Sequence, residues 1–212
     1  MKDSRARYFA NNLEELSRTD RIFLNNPVIM QGLGLAPVIV PARTLQTAFI
    51  LAVGVTLMLM PTRVLGNIIG KKTGFKFHAV LYALISAVVF VAARYIMDIF
   101  FGLSLTSVGI YLPLLVLDPL IIKRQTNLQE EDISTSFRRG LASTAGFCLV
   151  LFLSAAAREV LAYGTLAGIE VVRFRAMPMA DMAAGGFIVL GVLAAVWRAA
   201  ANAFKRKVNM EA

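Results

Sequence analysis

The chain has 212 residues, 58% of them hydrophobic, with a formal net charge of +9 and a mean hydropathy of +0.68. Its charges are bunched between long apolar stretches, so the apolar surplus does not describe the core of one soluble domain, and the chain reads as an integral membrane protein. The basic residues cluster at the ends of apolar windows, which speaks against nucleic acid, and a lone cysteine, Cys148, excludes a disulfide framework or a CxxC metal site.

Residues 1–21 are a polar tail, read as cytoplasmic; it lacks a small-residue cleavage pattern, so no cleavable signal peptide is expected. Charge-free windows follow over 22–42, 44–62, 77–93, 99–117, 140–157 and 182–197. Each approaches the roughly 20 residues that cross a hydrocarbon core about 30 Å thick. They predict an all-α integral membrane fold of six transmembrane helices over 22–204, with a basic tail over 205–212.

The first window begins Asn25-Asn26-Pro27, in which an asparagine caps a helix that starts on proline. Gly32, Gly34 and Pro37 then interrupt it, because proline removes a backbone donor and clashes with the preceding turn. The fourth window is interrupted at Gly109 and Pro113 and ends on Asp118-Pro119. Both are expected to be broken into half-helices. Three windows precede about residue 98 and three follow it, so related halves must be inverted in the membrane, with repeat one over 22–98 and repeat two over 99–204. The order glycine, apolar step, proline recurs in Gly34-Leu-Ala-Pro37 and Gly109-Ile-Tyr-Leu-Pro113. Freed backbone groups at such breaks must be satisfied inside the protein, which makes Gly32, Gly34 and Gly109 candidates for lining an ion path.

Asp118 is the sharpest polar candidate in these windows. A carboxylate facing lipid is costly, so it faces a cavity or a cation, or else pairs at the interface with Lys123 or Arg124. Arg94 and Asp98 are spaced for an i,i+4 ion pair, and Arg158 with Glu159 is read as part of a structural ion-pair arrangement at a helix end. His78 starts the third window and is expected to be an interface residue rather than a ligand. The stretch 163–181 is expected to lie over the outer surface as a short strand-like or amphipathic piece. Gly185, Gly186 and Gly191 permit close packing of the last helix, whose Trp197 suits the membrane interface. No Ser/His/Asp set, phosphate loop or dinucleotide fingerprint occurs, so no catalytic residue and no metal ligand is assigned.

Taken together, Asn25-Asn26, Gly32-Leu-Gly-Leu-Ala-Pro37, Val108-Gly-Ile-Tyr-Leu-Pro-Leu-Leu-Val116 and Ala157-Arg158-Glu159 with Gly164-Thr165-Leu166 resemble the Rnf/Nqr membrane-subunit family. The resemblance runs from about Arg21 to about Lys205 and is nearest to the E subunit of Rnf and the D subunit of sodium-translocating NADH:quinone reductase. It implies a prokaryotic inner membrane, a paralogous six-helix partner and other subunits of an electron-transport complex. Members of that family carry one cysteine in each broken helix, and cysteines from two paralogous subunits hold a two-iron two-sulfur cluster between them. Here those positions are Ala36 and Pro119, neither of which can ligate iron. The resemblance therefore implies a scaffold and ion path with no cofactor of its own, flavin or iron-sulfur centres belonging to partner subunits. A cluster-free transporter or channel reusing the fold, or a purely structural subunit, are the other readings.

Basic residues divide 17 to 5 between alternate sides of the windows, with Lys2, Arg21, Lys71, Arg139 and Lys207 among the larger group. By the positive-inside rule both termini are cytoplasmic. A reporter fused to the C-terminus should be cytoplasmic and one inserted after Arg173 external; opposite signals in a protease-protection assay would overturn the orientation.

Overall fold

The computed structural model describes residues 20–70, 78–118 and 133–210. Six α-helices lie in these stretches: α1 (Leu35–Ile39), α2 (Leu45–Gly70), α3 (His78–Phe101), α4 (Tyr111–Leu114), α5 (Ile133–Tyr163) and α6 (Ala183–Met210). Short 3-10 helices cover Gly102–Ser107, Leu115–Leu117 and Pro178–Asp181. A minimal antiparallel hairpin pairs β1 (Thr165–Leu166) with β2 (Ile169–Glu170) and forms the strand-like piece after α5.

Among the described residues four helical stretches are long and apolar enough to cross a membrane: Leu45–Gly70, Ala79–Ser107, Ile133–Tyr163 and Ala183–Val208. The windows over 22–42 and 99–117 instead hold turns, α1, α4 and 3-10 pieces, with no helix of spanning length wholly inside either. The start of the fourth window in fact belongs to α3. Arg94 and Asp98, which separate the third window from the fourth, pair on one helix face at 3.1 Å, each about half-exposed, and the helix runs on past them.

The exposed surface confirms which solvent the fold is built for. On α3, Val80, Leu84, Val88, Val91, Tyr95 and Ile99 are each at least 60% exposed and recur every three or four residues, which is one continuous helix face. An apolar face of that length is stable against hydrocarbon, not water.

The centre is an antiparallel pair, α2 on α5. Asn67 of α2 donates to Ser136 of α5 at 2.8 Å at one end. At the other, the Leu45 N–H donates to Glu159 at 2.8 Å. Between them Leu51, Val55, Phe147, Val150 and Leu151 are fully buried. Pro61 sits inside α2, where it leaves the preceding turn one donor short. Close approach is set by small residues. Gly185 faces the Met179 carbonyl, where a Cβ would stand at 2.1 Å, and Gly186 faces the Ile39 carbonyl at 2.6 Å. Gly191 differs: a Cβ there meets nothing within 4 Å.

Gly66 seats α3 on α2. A Cβ at Gly66 would lie 1.7 Å from the Tyr82 ring, which is 1% exposed and has no room to swing away. Alanine would gain about 1 kcal/mol of helix propensity, but overpacking costs about 1–3 kcal/mol, so the clash prevails. Gly66→Ala should lower the melting temperature in detergent while Gly191→Ala leaves it unchanged or raises it; equal melting of the two variants would refute this account of the α2–α3 seam.

Candidate functional site

The two irregular segments meet. In the first, the Asp20 carboxylate accepts from the N–H groups of Ile22, Phe23 and Leu24 at 2.9, 3.3 and 3.1 Å. Asn26, fully buried, then accepts from Val28 and Ile29 at 2.9 and 3.3 Å. Its amide donates to the carbonyls of Ile22 at 2.9 Å and of Gly146, on α5, at 2.8 Å. These are capping bonds, made because a turn in an apolar environment has no water for its free donors. The turn closes at Gly32 (φ 67°), and Gly34 (φ 68°) opens α1. Gly34 is also pressed on Phe147, whose ring would lie 2.6 Å from a Cβ, so both conformation and space require glycine there. In the second segment Gly109 (φ 55°) precedes α4, and α1 contacts α4.

Between the segments lies a cleft of about 490 Å³, lined by Val40 and Pro41 on one side and Val108, Gly109 and Tyr111 on the other. Its rim carries an ion pair, Arg43 to Asp181 at 3.6 Å. The Tyr163 hydroxyl donates to the same carboxylate at 2.6 Å.

Arg158 and Glu159 hold this arrangement in place through hydrogen bonds to backbone groups. Arg158 is 0% exposed and donates to five main-chain carbonyls: Ala180 at 2.8 Å, Ile39 at 2.5 Å, Ala42 at 3.1 Å, Asp181 at 3.1 Å and Met182 at 3.3 Å. It thereby caps the C-terminal ends of α1 and of the 3-10 helix over Pro178–Asp181, where free carbonyls and the helix dipole favour a cation. Glu159 does the reverse. Its carboxylate accepts from the Leu45 N–H at the start of α2, from the Thr165 hydroxyl at 3.2 Å and from the Gly168 N–H at 3.1 Å. Adjacent residues on a helix point about 100° apart and so reach different neighbours rather than each other.

The other sequence candidates do not converge. Gly109 lines the cleft just described, whereas Gly32 lines another against α6. Asp118 is 9% exposed, follows the 3-10 helix Leu115–Leu117 as its C-cap, and lines neither. Ala36 is exposed on α1 and presents only a methyl group, while Pro119, Lys123 and Arg124 lie outside the described residues, as does the side chain of His78. Cys148 sits on α5 in contact with Thr56 of α2. Among the described residues no three His, Cys, Asp or Glu side chains group to hold a metal ion. An alanine at position 36 offers no thiolate to a cluster. The capping role of Asn26 was legible beside Pro27, whereas Asp181 and Tyr163 were not legible as site residues; the signal that could have marked them is a polar side chain at a helix end next to an apolar stretch.

The model of a family described as Rnf-Nqr subunit, membrane protein, matches residues 16–194. The E subunit of the ion-translocating oxidoreductase complex of Shewanella oneidensis is 32% identical over 147 residues, 68% of this chain and 63% of that protein. Its namesake in Thioalkalivibrio sulfidiphilus is 30% identical over 188 residues, 81% of this chain and 82% of the relative. The E subunit of the proton-translocating ferredoxin:NAD(+) oxidoreductase complex of Clostridium ljungdahlii is 25% identical over 193 residues, 90% of each. The chain spans 63% of the length of the Shewanella relatives it matches.

Removing Arg158 takes the donor from three buried carbonyls, those of Ile39, Ala42 and Ala180, and from two part-buried ones. Arg158→Met should destabilise by about 1–3 kcal/mol for each buried carbonyl left without a donor. Arg158→Lys should recover only part, because a point ammonium cannot reach carbonyls on two segments at once. Thermal unfolding in detergent reads the order, and an Arg158→Met protein that melts with the wild type would sink the clamp.

Proposed function

The chain belongs to the Rnf-Nqr family of membrane subunits, and from that premise we infer that it is the membrane subunit of an Rnf-like ion-translocating electron-transport complex, serving as scaffold and ion path without iron-sulfur ligands of its own. One observation carries the reading. Two short helices, each with a left-handed glycine just ahead of it and each containing a proline, lie against one another among long apolar helices. Half-helices meeting inside a membrane are where ion-coupled proteins place their sites.

The same observation supports two inverted three-element repeats, one with α1, α2 and α3 and the other with α4, α5 and α6. In each, an irregular segment precedes two long helices, and the first long helix of one half packs antiparallel on that of the other. A paralogous six-helix subunit is the partner such a half-site implies, with flavin or iron-sulfur centres in other subunits and both termini cytoplasmic in a prokaryotic inner membrane.

Asp118 is the residue to which we assign the ion path. A carboxylate at the C-terminal end of a helix meets the partial negative charge of free carbonyls, and burial adds to that cost. Its carboxylate is an oxygen ligand of the kind a small hard cation takes.

Purification in mild detergent should bring down electron-transport subunits, while the isolated chain contains no stoichiometric iron. In the assembled complex Asp118→Asn should abolish cation-dependent turnover and leave assembly and melting nearly unchanged. Loss of assembly, or full retention of activity, would reduce Asp118 to a structural partner.

A further inference from the structure

A second cleft, of about 450 Å³, lies between the first irregular segment and α6. Its wall on α6 runs from Phe187 through Leu190 and Ala194 to Arg198, which at ~1.5 Å per residue is about 17 Å. One leaflet of the hydrocarbon core is about 15 Å deep. The lining is graded in polarity along that length. Phe187, Leu190 and Ala194 are apolar, and Arg198 stands at the far end. Gly191 leaves the middle of the wall open, with nothing within 4 Å of where a Cβ would be, and Phe187 is 62% exposed, so the cleft opens toward lipid.

Arg198 marks the interface level. It follows Trp197, whose indole N–H donates to the Phe23 carbonyl at 3.0 Å and whose ring rests on Phe23 at 5.3 Å. Among the described residues the Arg198 guanidinium makes one hydrogen bond, to the Ile29 carbonyl at 3.0 Å. Arg198 is otherwise exposed, which leaves its remaining donors open to a ligand at the mouth of the cleft. Lys205 and Arg206, farther along the same helix, lie outside the cleft.

The geometry points to a site for one anionic phospholipid, its headgroup phosphate on Arg198 and one acyl chain along Phe187, Leu190 and Ala194. A basic end between membrane helices on the side rich in lysine and arginine binds anionic headgroups by charge, and the trough supplies a length of apolar wall suited to a single chain. A transmembrane helix of a partner would fill the apolar part but would offer its flank, not an anionic oxygen, to the guanidinium. The site does not depend on the ion path proposed above.

The test is native mass spectrometry of the full chain, in whatever complex it purifies, with dioleoylphosphatidylglycerol or dioleoylphosphatidylcholine added in non-ionic detergent. The wild type should retain the anionic lipid about fivefold better, the contribution of one basic residue at such a surface. Arg198→Gln should erase that preference. Gly191→Phe, which projects a ring into open space and so spares the fold, should reduce retention of both lipids, and Lys205→Gln should change neither. Equal retention of the two lipids by the wild type, unchanged retention in both cleft variants, loss confined to Lys205→Gln, or a lipid-free assembled complex in which a partner helix covers α6 would each overturn the site.

Discussion

Free backbone groups in hydrocarbon are the constraint on which the rest of this molecule depends, and two neighbouring side chains on α5 answer it. Arg158 collects five carbonyls from the ends of two short helices, and Glu159 collects donors from the start of α2 and from the hairpin. An α-helix leaves four carbonyls free at one end and four N–H groups at the other. Breaking a helix inside a membrane doubles the number of such ends. One cation and one anion, each with several hydrogen-bonding positions, serve the ends that gather at this level, and the carbonyls of Asp181 and Met182 that Arg158 holds belong to residues lining the cleft between Val40 and Tyr111.

The helix α5 is the spine for the rest. Arg21 reaches the Arg139 carbonyl at 3.2 Å and the Ser143 hydroxyl at 2.8 Å. Asn26 reaches the Gly146 carbonyl, and Asn67 reaches Ser136. Every level of the first half is thus tied by polar bonds to one helix of the second, and apolar packing of Phe147, Val150 and Leu151 fills the space between them. In lipid the apolar contacts alone give little preference for one helix arrangement over another, so the directional bonds select it.

Much of this was legible in the chain. The breaks at Gly32 to Pro37 and at Gly109 to Pro113 appear where glycine and proline interrupt apolar runs, and the four long helices coincide with the windows over 44–62, 77–93, 140–157 and 182–197. Their lengths were not legible. Charge-free windows stop at every ionised residue, but Arg63, Arg158 and Glu159 are buried within helices, and Arg94 and Asp98 neutralise one another on a helix face. The partners of Arg158 were hidden for a different reason. They lie on backbone carbonyls as far as 119 residues away, and a carbonyl carries no sequence signature.

That separation bears on how the chain is made. Ile39 and Ala42 meet Arg158 across 119 and 116 residues, and Asn26 meets Gly146 across 120. At a synthesis rate of about 5–20 residues per second, the first irregular segment waits roughly 6–24 s before the helix that completes it leaves the ribosome. For that interval its turns and half-helix have no interior to enter. The membrane-insertion machinery, or the interface itself, must hold the first third of the chain in a wet environment until α5 arrives, so assembly of the first half is completed by the second rather than preceding it.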